Sequence, residues 1–466
     1  MKQTLFVAAS LLLMGAGAAV SARELALPKD LPPYGADKPV PVPQIDKHTL
    51  ANGMMLWIVA DKEGVPKVNY VLAVRGGTAA DPRELNGLSG ILARTLDEGT
   101  RSRSSIQIAQ ELQGLGANLG GSAGSDGTTV SASGLSSNAR PLMELLADVV
   151  RNPTFPDHEI DLAKANALQE LKAAQATPGY GAAVAFGRAV FGDHPYGTGE
   201  STEASIAAAS PKLLRDLHAN RFRPDRALLV VSGRVDAAEI VRLAQASFGD
   251  WKAAGEPEAA TPPAPREATP ARVFVPRAGS VQSSIRMGRP SFAAADPVLP
   301  KADVAEVILG GSFGGRLFQN LREEKGYTYG AYAGFSALRM GGAFQAEADV
   351  RNEVTGAALG EFNKELQRMV DEPVGTGELT RSQRYLAGVY LFRNQMRGSV
   401  ARTLASLWID GRPPEDLGEY VGKIKAVTSA DVQAVARRYF DPARQSIIVE
   451  GDPSVAAQLE PYGKFR

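Results

Sequence analysis

Two stretches of this chain, 218 residues apart, spell the same local structure. Residues 210–233, SPKLLRDLHANRFRPDRALLVVSG, and residues 428–451, TSADVQAVARRYFDPARQSIIVEG, each read as a helix, a Phe-x-Pro turn, an apolar strand and a glycine. Phe222 and Phe440, Pro224 and Pro442, and Gly233 and Gly451 all keep that one offset. A helix followed by a strand recurs easily, but three turn residues in register point to duplication of a unit much longer than a solenoid repeat. The chain is therefore constrained to fold as two like halves.

Proline marks where the halves divide. Residues 28–43 hold six prolines and residues 252–272 hold five, a density that neither a helix nor a central strand tolerates. The expected order is a signal peptide (1–22), a proline-rich arm (23–44), a first domain (45–251), a linker (252–272) and a second domain (273–466). The leader, MKQTLFVAASLLLMGAGAAVSA, has a basic start, an apolar run too short to span a bilayer, and a small-residue close. Cleavage after Ala22 would release a periplasmic product without stable membrane insertion. Strand-like segments (68–77, 128–134, 342–350) are interleaved with helix-like ones (139–153, 235–251, 354–370), and no phosphate-binding glycine loop follows the first strand. The fold class expected is α+β, helices packed on a mainly antiparallel sheet in each half.

Composition removes several functions. Lys+Arg and Asp+Glu both number 51, so no net field favours nucleic acid. The chain has no cysteine, which excludes disulfides, thiolate metal sites and a cysteine nucleophile. The four histidines, His48, His158, His194 and His218, include no pair within four residues of each other, so no helix turn offers two imidazoles to a metal.

Residues 87–100, GLSGILARTLDEGT, form a short amphipathic helix with Leu88, Ile91, Leu92 and Leu96 as its apolar stripe and Gly99 as its stop. Gly90, Ala93 and Arg94 share another face. This segment resembles the inverted zinc motif of the pitrilysin/insulinase family of metallopeptidases, His-x-x-Glu-His within a Gly-Leu…Gly-Thr frame. Gly90 stands at the first histidine, Ala93 at the glutamate and Arg94 at the second histidine. Glu170 falls at the third ligand, where it is either an ordinary helix glutamate or a remnant, and Ala163 replaces that ligand's acidic neighbour. Glycine, alanine and arginine cannot bind zinc, and a guanidinium puts a fixed positive charge where the metal would sit. The opening at 48–82, the DHPYGTGES turn (193–201) with His194 as a capping residue, and the central linker also resemble the family.

A second informative segment, ILGGSFGGRLFQNLREEKGYTYGAYAGF (308–335), holds a helix with Leu317 and Leu321 inward, Gly326 as its left-handed stop, and a strand beyond. Strict alternation puts Tyr327, Tyr329, Ala331, Ala333 and Phe335 on one face. Arg322 in the last helical turn suits the helix dipole, and tyrosines suit a half-buried strand. Leu-Arg-Glu-Glu-Lys-Gly-x-x-Tyr is, however, similar to the family's Arg/Tyr pair, so the resemblance gives Arg322 and Tyr329 a substrate-binding and oxyanion-stabilising role. Gly310–Gly315 reads as a tight turn, with Ser312 a possible cap, or as a peptide-handling loop. The glycines of 118–134 make strand addition by substrate doubtful in the first half.

The resemblance implies the LuxS/processing-peptidase-like fold and a zinc-free subunit of a heterodimeric metallopeptidase. This chain would bind no metal; a homologous exported partner carrying the inverted motif would bring the zinc, and peptides would be the substrates. The alternative is a catalytically inert structural or peptide-binding scaffold.

Overall fold

The computed structural model describes residues 42–466; the expected signal peptide and nearly all of the arm lie outside them. Strands β1 (Asp46–Thr49), β2 (Met55–Ala60), β3 (Lys67–Arg75), β4 (Asn118–Ala123), β5 (Gly127–Leu135) and β6 (Ala227–Gly233) form one sheet in the order β1-β2-β6-β3-β5-β4. Strands β7 (Arg272–Pro276), β8 (Gln282–Pro290), β9 (Thr328–Leu338), β10 (Gly341–Arg351) and β11 (Ser446–Gly451) form a second, β7-β11-β8-β10-β9. Apart from β1 the two orders match strand for strand, and in each only the outer pair, β2–β6 or β7–β11, is parallel. The fold is α+β and duplicated, as the 218-residue offset implies. Among the described residues no helix is long and apolar enough to cross a membrane.

Alternation along the central strands explains the layers. Leu56, Ile58, Tyr70, Leu72, Leu229 and Val231 face one core, beneath helices that include Leu88–Thr95, Ala139–Arg151 and Ala237–Phe248. Trp57, Val59, Val71, Ala73, Leu228 and Val230 face the other side, where they meet Val400, Leu404 and Trp408 of the helix Arg397–Ile409. Because both faces are covered, all seven residues of β6 are buried, which accounts for its unbroken apolar run.

The cover is exchanged between halves. Helix Arg397–Ile409 belongs to the second half but lies on β3 and β6 of the first. Its duplicate, Tyr180–Phe191, belongs to the first half and packs on β8 and β11 of the second, where Phe186 and Val190 join Ala343 and Ile448. Phe186 lies so close to the backbone that a Cβ on Gly288 would meet its ring at 2.7 Å. The carboxylate of buried Glu450 on β11 accepts from Ala182 N at 2.8 Å, satisfying a free N–H at the start of that helix. Position 232, one offset earlier, is Ser232, whose hydroxyl donates to Arg397 O at 2.8 Å.

The proline-rich segment after Trp251 has no regular structure until β7, and it is fastened to both halves. Glu258 pairs with Arg221, Ala264 N donates to Met340 O at 2.9 Å, and Glu267 pairs with Arg289 and Arg444. The hairpin tips meet as well: Asp126 accepts from Tyr196 Oη at 2.6 Å and from Arg339 N at 3.0 Å.

Candidate functional site

The helix anticipated at 87–100 is regular over Leu88–Thr95, and the three leucines and one isoleucine of the stripe are all buried. It begins at Gly87 (φ 91°), and Asp81 Oδ2 accepts from Gly87 N and Ser89 N, both at 3.1 Å. Burial pushes the Asp81 carboxyl up, against the opposing pull of its Ser89 hydrogen bonds and of Arg221. Gly99 (φ 141°) follows in a turn.

Gly90, Ala93 and Arg94 do not share one open face. Ala93 is fully buried against β4, and a Cβ on Gly121 would overlap the Ala93 carbonyl oxygen. The reason is close packing: a strand of small residues lets the helix backbone come down onto the sheet edge, and the third residue of the face is pressed under it. Gly90 opens instead onto a cavity of about 360 Å³ that Arg94 and Glu170 also line, and a Cβ added at Gly90 would meet nothing within 4 Å.

Arg94 and Glu170 are brought together across that cavity. Arg94 Nη1 donates to Glu170 Oε1 at 2.8 Å and Nη2 reaches Oε2 at 2.8 Å, a bidentate pair between the helices Leu88–Thr95 and Asp157–Ala176. Arg94 holds the Glu170 carboxyl below its ordinary range, and Glu170 raises the guanidinium. The guanidinium thus meets the carboxylate that the family resemblance sets aside for a metal. The residues present do not fit zinc: among the described residues no group of three or more His, Cys, Asp or Glu is placed to hold an ion. With the side chains 49% and 59% exposed, water screens the pair. Arg94→Ala is therefore expected to change the free energy of unfolding by less than about 1 kcal/mol, measured by urea titration.

His194 is a cap. Its Nδ1 accepts from Tyr196 N at 3.2 Å at the head of a short helix, and Nε2 lies 2.9 Å from Pro262 O in the linker.

In the second half, the segment before Gly326 is one α-helical turn (Arg316–Phe318) running into a π-helical turn over Gln319–Glu324. π turns are uncommon and recur at functional sites. Leu317 and Leu321 point inward and are fully buried. Gly326 has φ 63° and Tyr327 N donates to Leu321 O at 2.9 Å, closing the helix as its glycine implies. Ser312 does not cap this helix; Gly315 stands at its N-cap and the Ser312 hydroxyl turns back to Val307 O at 3.4 Å. The glycines before it form a tight turn, in which a Cβ on Gly310 would meet Ala333 N at 2.7 Å.

Tyr329 departs from strict alternation. The pairing of β9 with β10 passes from Ala331↔Ala348 to Thr328↔Val350, three residues against two, so β9 carries a bulge at Tyr329 and Gly330. Thr328 Oγ1 clamps it, lying 2.6 Å from Asp349 O and 2.8 Å from Gly330 O and accepting from Gly330 N at 3.1 Å. Ala331, Ala333 and Phe335 pack into or against the second core, whereas Tyr329 is turned out and is 87% exposed. A bulge re-aims a side chain in this way. Arg322 stands nearby in sequence with its guanidinium stacked 4.9 Å over Phe318 and, among the described residues, only Glu323, at 3.6 Å, as an ionic partner. Arg322 and Tyr329 make no hydrogen bond to each other, and neither lines the Arg94 cavity.

Sequence reasoning passed over Arg221, which is fully buried behind the Leu88–Thr95 helix. It donates to Glu258 Oε1 and Oε2 at 2.9 Å and to Ser89 Oγ at 2.6 Å. A basic residue in a last helical turn reads as solvent-facing; its partners, Glu258 in the linker and Ser89 and Asp81 far back in the chain, reveal otherwise.

Residues 57–193 match the sequence family described as insulinase (peptidase family M16), and residues 208–386 match the one described as peptidase M16 inactive domain. An uncharacterized zinc protease of Streptomyces coelicolor is 24% identical over 84% of this chain and 86% of its own length. The uncharacterized zinc protease YmxG of Bacillus subtilis is 22% identical over 85% and 96%. Among solved structures, a peptidase M16 inactive domain from Pseudomonas fluorescens superposes with a TM-score of 0.81 at 23% identity, covering 88% of this chain and 98% of that one. A protease from Helicobacter pylori gives 0.80 at 16% identity, covering 88% and 99%.

Proposed function

The chain belongs to the insulinase (M16) family of peptidases, and from that premise we propose that it is the exported, zinc-free subunit of a heterodimeric peptidase. It presents Arg322 and Tyr329 to a zinc site on a homologous periplasmic partner. The observation that carries the reading is the bulge: β9 spends a residue of register to hold Tyr329 in the open, beside a π-helical turn that leaves Arg322 without a strong carboxylate partner. Guanidinium and phenol are both donors, suited to a peptide carbonyl and to the negative charge that grows on its oxygen during hydrolysis. Within the chain itself, Arg94 already occupies Glu170, so the zinc and its ligands come from the partner. Substrates are peptides or unfolded segments small enough to enter the space between two such subunits.

The reading is tested by co-expressing the chain in the periplasm with a homologous chain that carries His-x-x-Glu-His, then assaying each alone and mixed on a quenched fluorescent peptide. Only the mixture is expected to cleave. Arg322→Ala or Tyr329→Phe should each lower kcat/KM of the mixture by about a hundredfold. Cleavage by this chain alone, or full activity of the mixture with both substitutions, overturns the proposal; the second result favours an inert scaffold.

A further inference from the structure

The cavity beside Gly90 is more than a vacated position. Besides the Arg94–Glu170 pair, it is lined by three hydroxyl-bearing residues, Thr78, Tyr180 and Ser201, and by a second acidic residue, Glu200. None of these four side chains has a hydrogen-bond partner among the described residues. Its floor is apolar, made by Ile91, Leu171 and Ile206, all of which belong to the first core. A volume of about 360 Å³ lies within the range of small-ligand sites.

The charges are unequal. Two carboxylates, Glu170 and Glu200, stand against one guanidinium, so the site is left with one negative charge that a cationic ligand would neutralise. Arg94 spends two N–H groups on Glu170. A guanidinium has five, so it retains donors for an oxygen acceptor. The cavity therefore offers, within one volume, acceptors for an ammonium, donors for a carbonyl and an apolar wall for a short side chain.

We infer that this cavity binds the amino-terminal residue of a peptide. The α-ammonium is held by Glu200 and Glu170, the first side chain lies on Ile91, Leu171 and Ile206, and the first carbonyl oxygen accepts from Arg94 or the neighbouring hydroxyls. A lysine side chain also carries an ammonium, but four methylenes separate it from its carbonyl, whereas in an amino-terminal residue the two lie on adjacent carbons and match the adjacency of acceptors and donors here. The inference stands apart from the role of Arg322 and Tyr329, because it concerns binding by this chain alone.

Isothermal titration of the purified chain, without any partner, tests it with three probes: Leu-Ala-Ala amide, N-acetyl-Leu-Ala-Ala amide, and N-acetyl-lysine amide. The free peptide is expected to bind at least about tenfold more tightly than either acetylated probe, since each loses a charge-assisted contact or the carbonyl beside it. Glu200→Gln should weaken the free peptide by about tenfold or more. Gly90→Phe should abolish binding with the unfolding midpoint unchanged, because its side chain enters open space. Equal binding of free and acetylated peptide, equal binding of the lysine probe, or undiminished binding by a folded Gly90→Phe chain each overturns the inference.

Discussion

Arg221→Met is expected to lower the stability of the chain by about 3–5 kcal/mol, the range for breaking a buried ion pair by removing one partner. The substitution keeps an unbranched side chain of comparable length, so lost packing is a minor part of the effect. What remains is Glu258, with a side chain 11% exposed, and Asp81, with none exposed, facing each other without a cation. Ser89 Oγ also loses the donor that now reaches it at 2.6 Å. Burial already raises the Asp81 carboxyl above its ordinary range, and removal of Arg221 raises it further. A carboxyl whose folded pKa is raised binds more protons folded than unfolded, so it favours the folded state less as pH rises. The deficit of the variant should therefore be larger at pH 8 than at pH 5, as read from urea unfolding midpoints at the two values. Arg221→Met combined with Glu258→Leu should recover part of it, because an apolar replacement removes one of the stranded charges. Limited proteolysis supplies an independent readout, since Glu258 is one of the points that fasten the segment between Trp251 and β7.

The second large effect is a gain. Gly90→His with Arg94→His places two imidazoles one helical turn apart and frees Glu170 from its guanidinium, giving two nitrogen ligands and one carboxylate, a known zinc ligand set. The first substitution meets open space, and the second lies at an exposed position. The double variant is expected to bind one zinc ion per chain with a Kd near or below about 1 μM, equivalent to roughly 8 kcal/mol, where the native chain binds none at that site. Metal analysis after dialysis and competition with a chromophoric chelator measure both. Adding Glu170→Gln should weaken the site by at least about tenfold. Even loaded, this variant should not cleave peptides, because Ala93 offers no carboxylate to take a proton from a metal-bound water.

How far the residues foretell this structure depends on whether a signal is local. The duplication was legible because turn residues are set by backbone geometry: Phe222, Pro224 and Gly233 recur at 440, 442 and 451 since the same turn needs them twice. Gly326 was legible for the same reason. That Gly90, Ala93 and Arg94 cannot ligate zinc was legible too, because there side-chain chemistry alone decides. Three things were hidden. Alternation put Tyr329 on one face with Ala331, Ala333 and Phe335, and one extra residue in β9 turned it off that face; a bulge depends on pairing with β10, which no single strand records. Ala93 was placed with its helical neighbours, although what lies above it is Gly121 of a strand more than twenty residues away. Arg221 was passed over because its partners come from the Asp81 loop, the helix Leu88–Thr95 and the linker.

Nothing in the sequences of the helices Tyr180–Phe191 and Arg397–Ile409 says which sheet each one covers. Each covers the other half's. The single chain is thus arranged like two subunits that have traded an arm and then been joined end to end. In such an arrangement neither sheet is sealed until both halves exist. Separating the halves would bare Val71, Ala73 and Val230 of one sheet and Ala343 and Ile448 of the other, so each half depends on its sibling for a closed core.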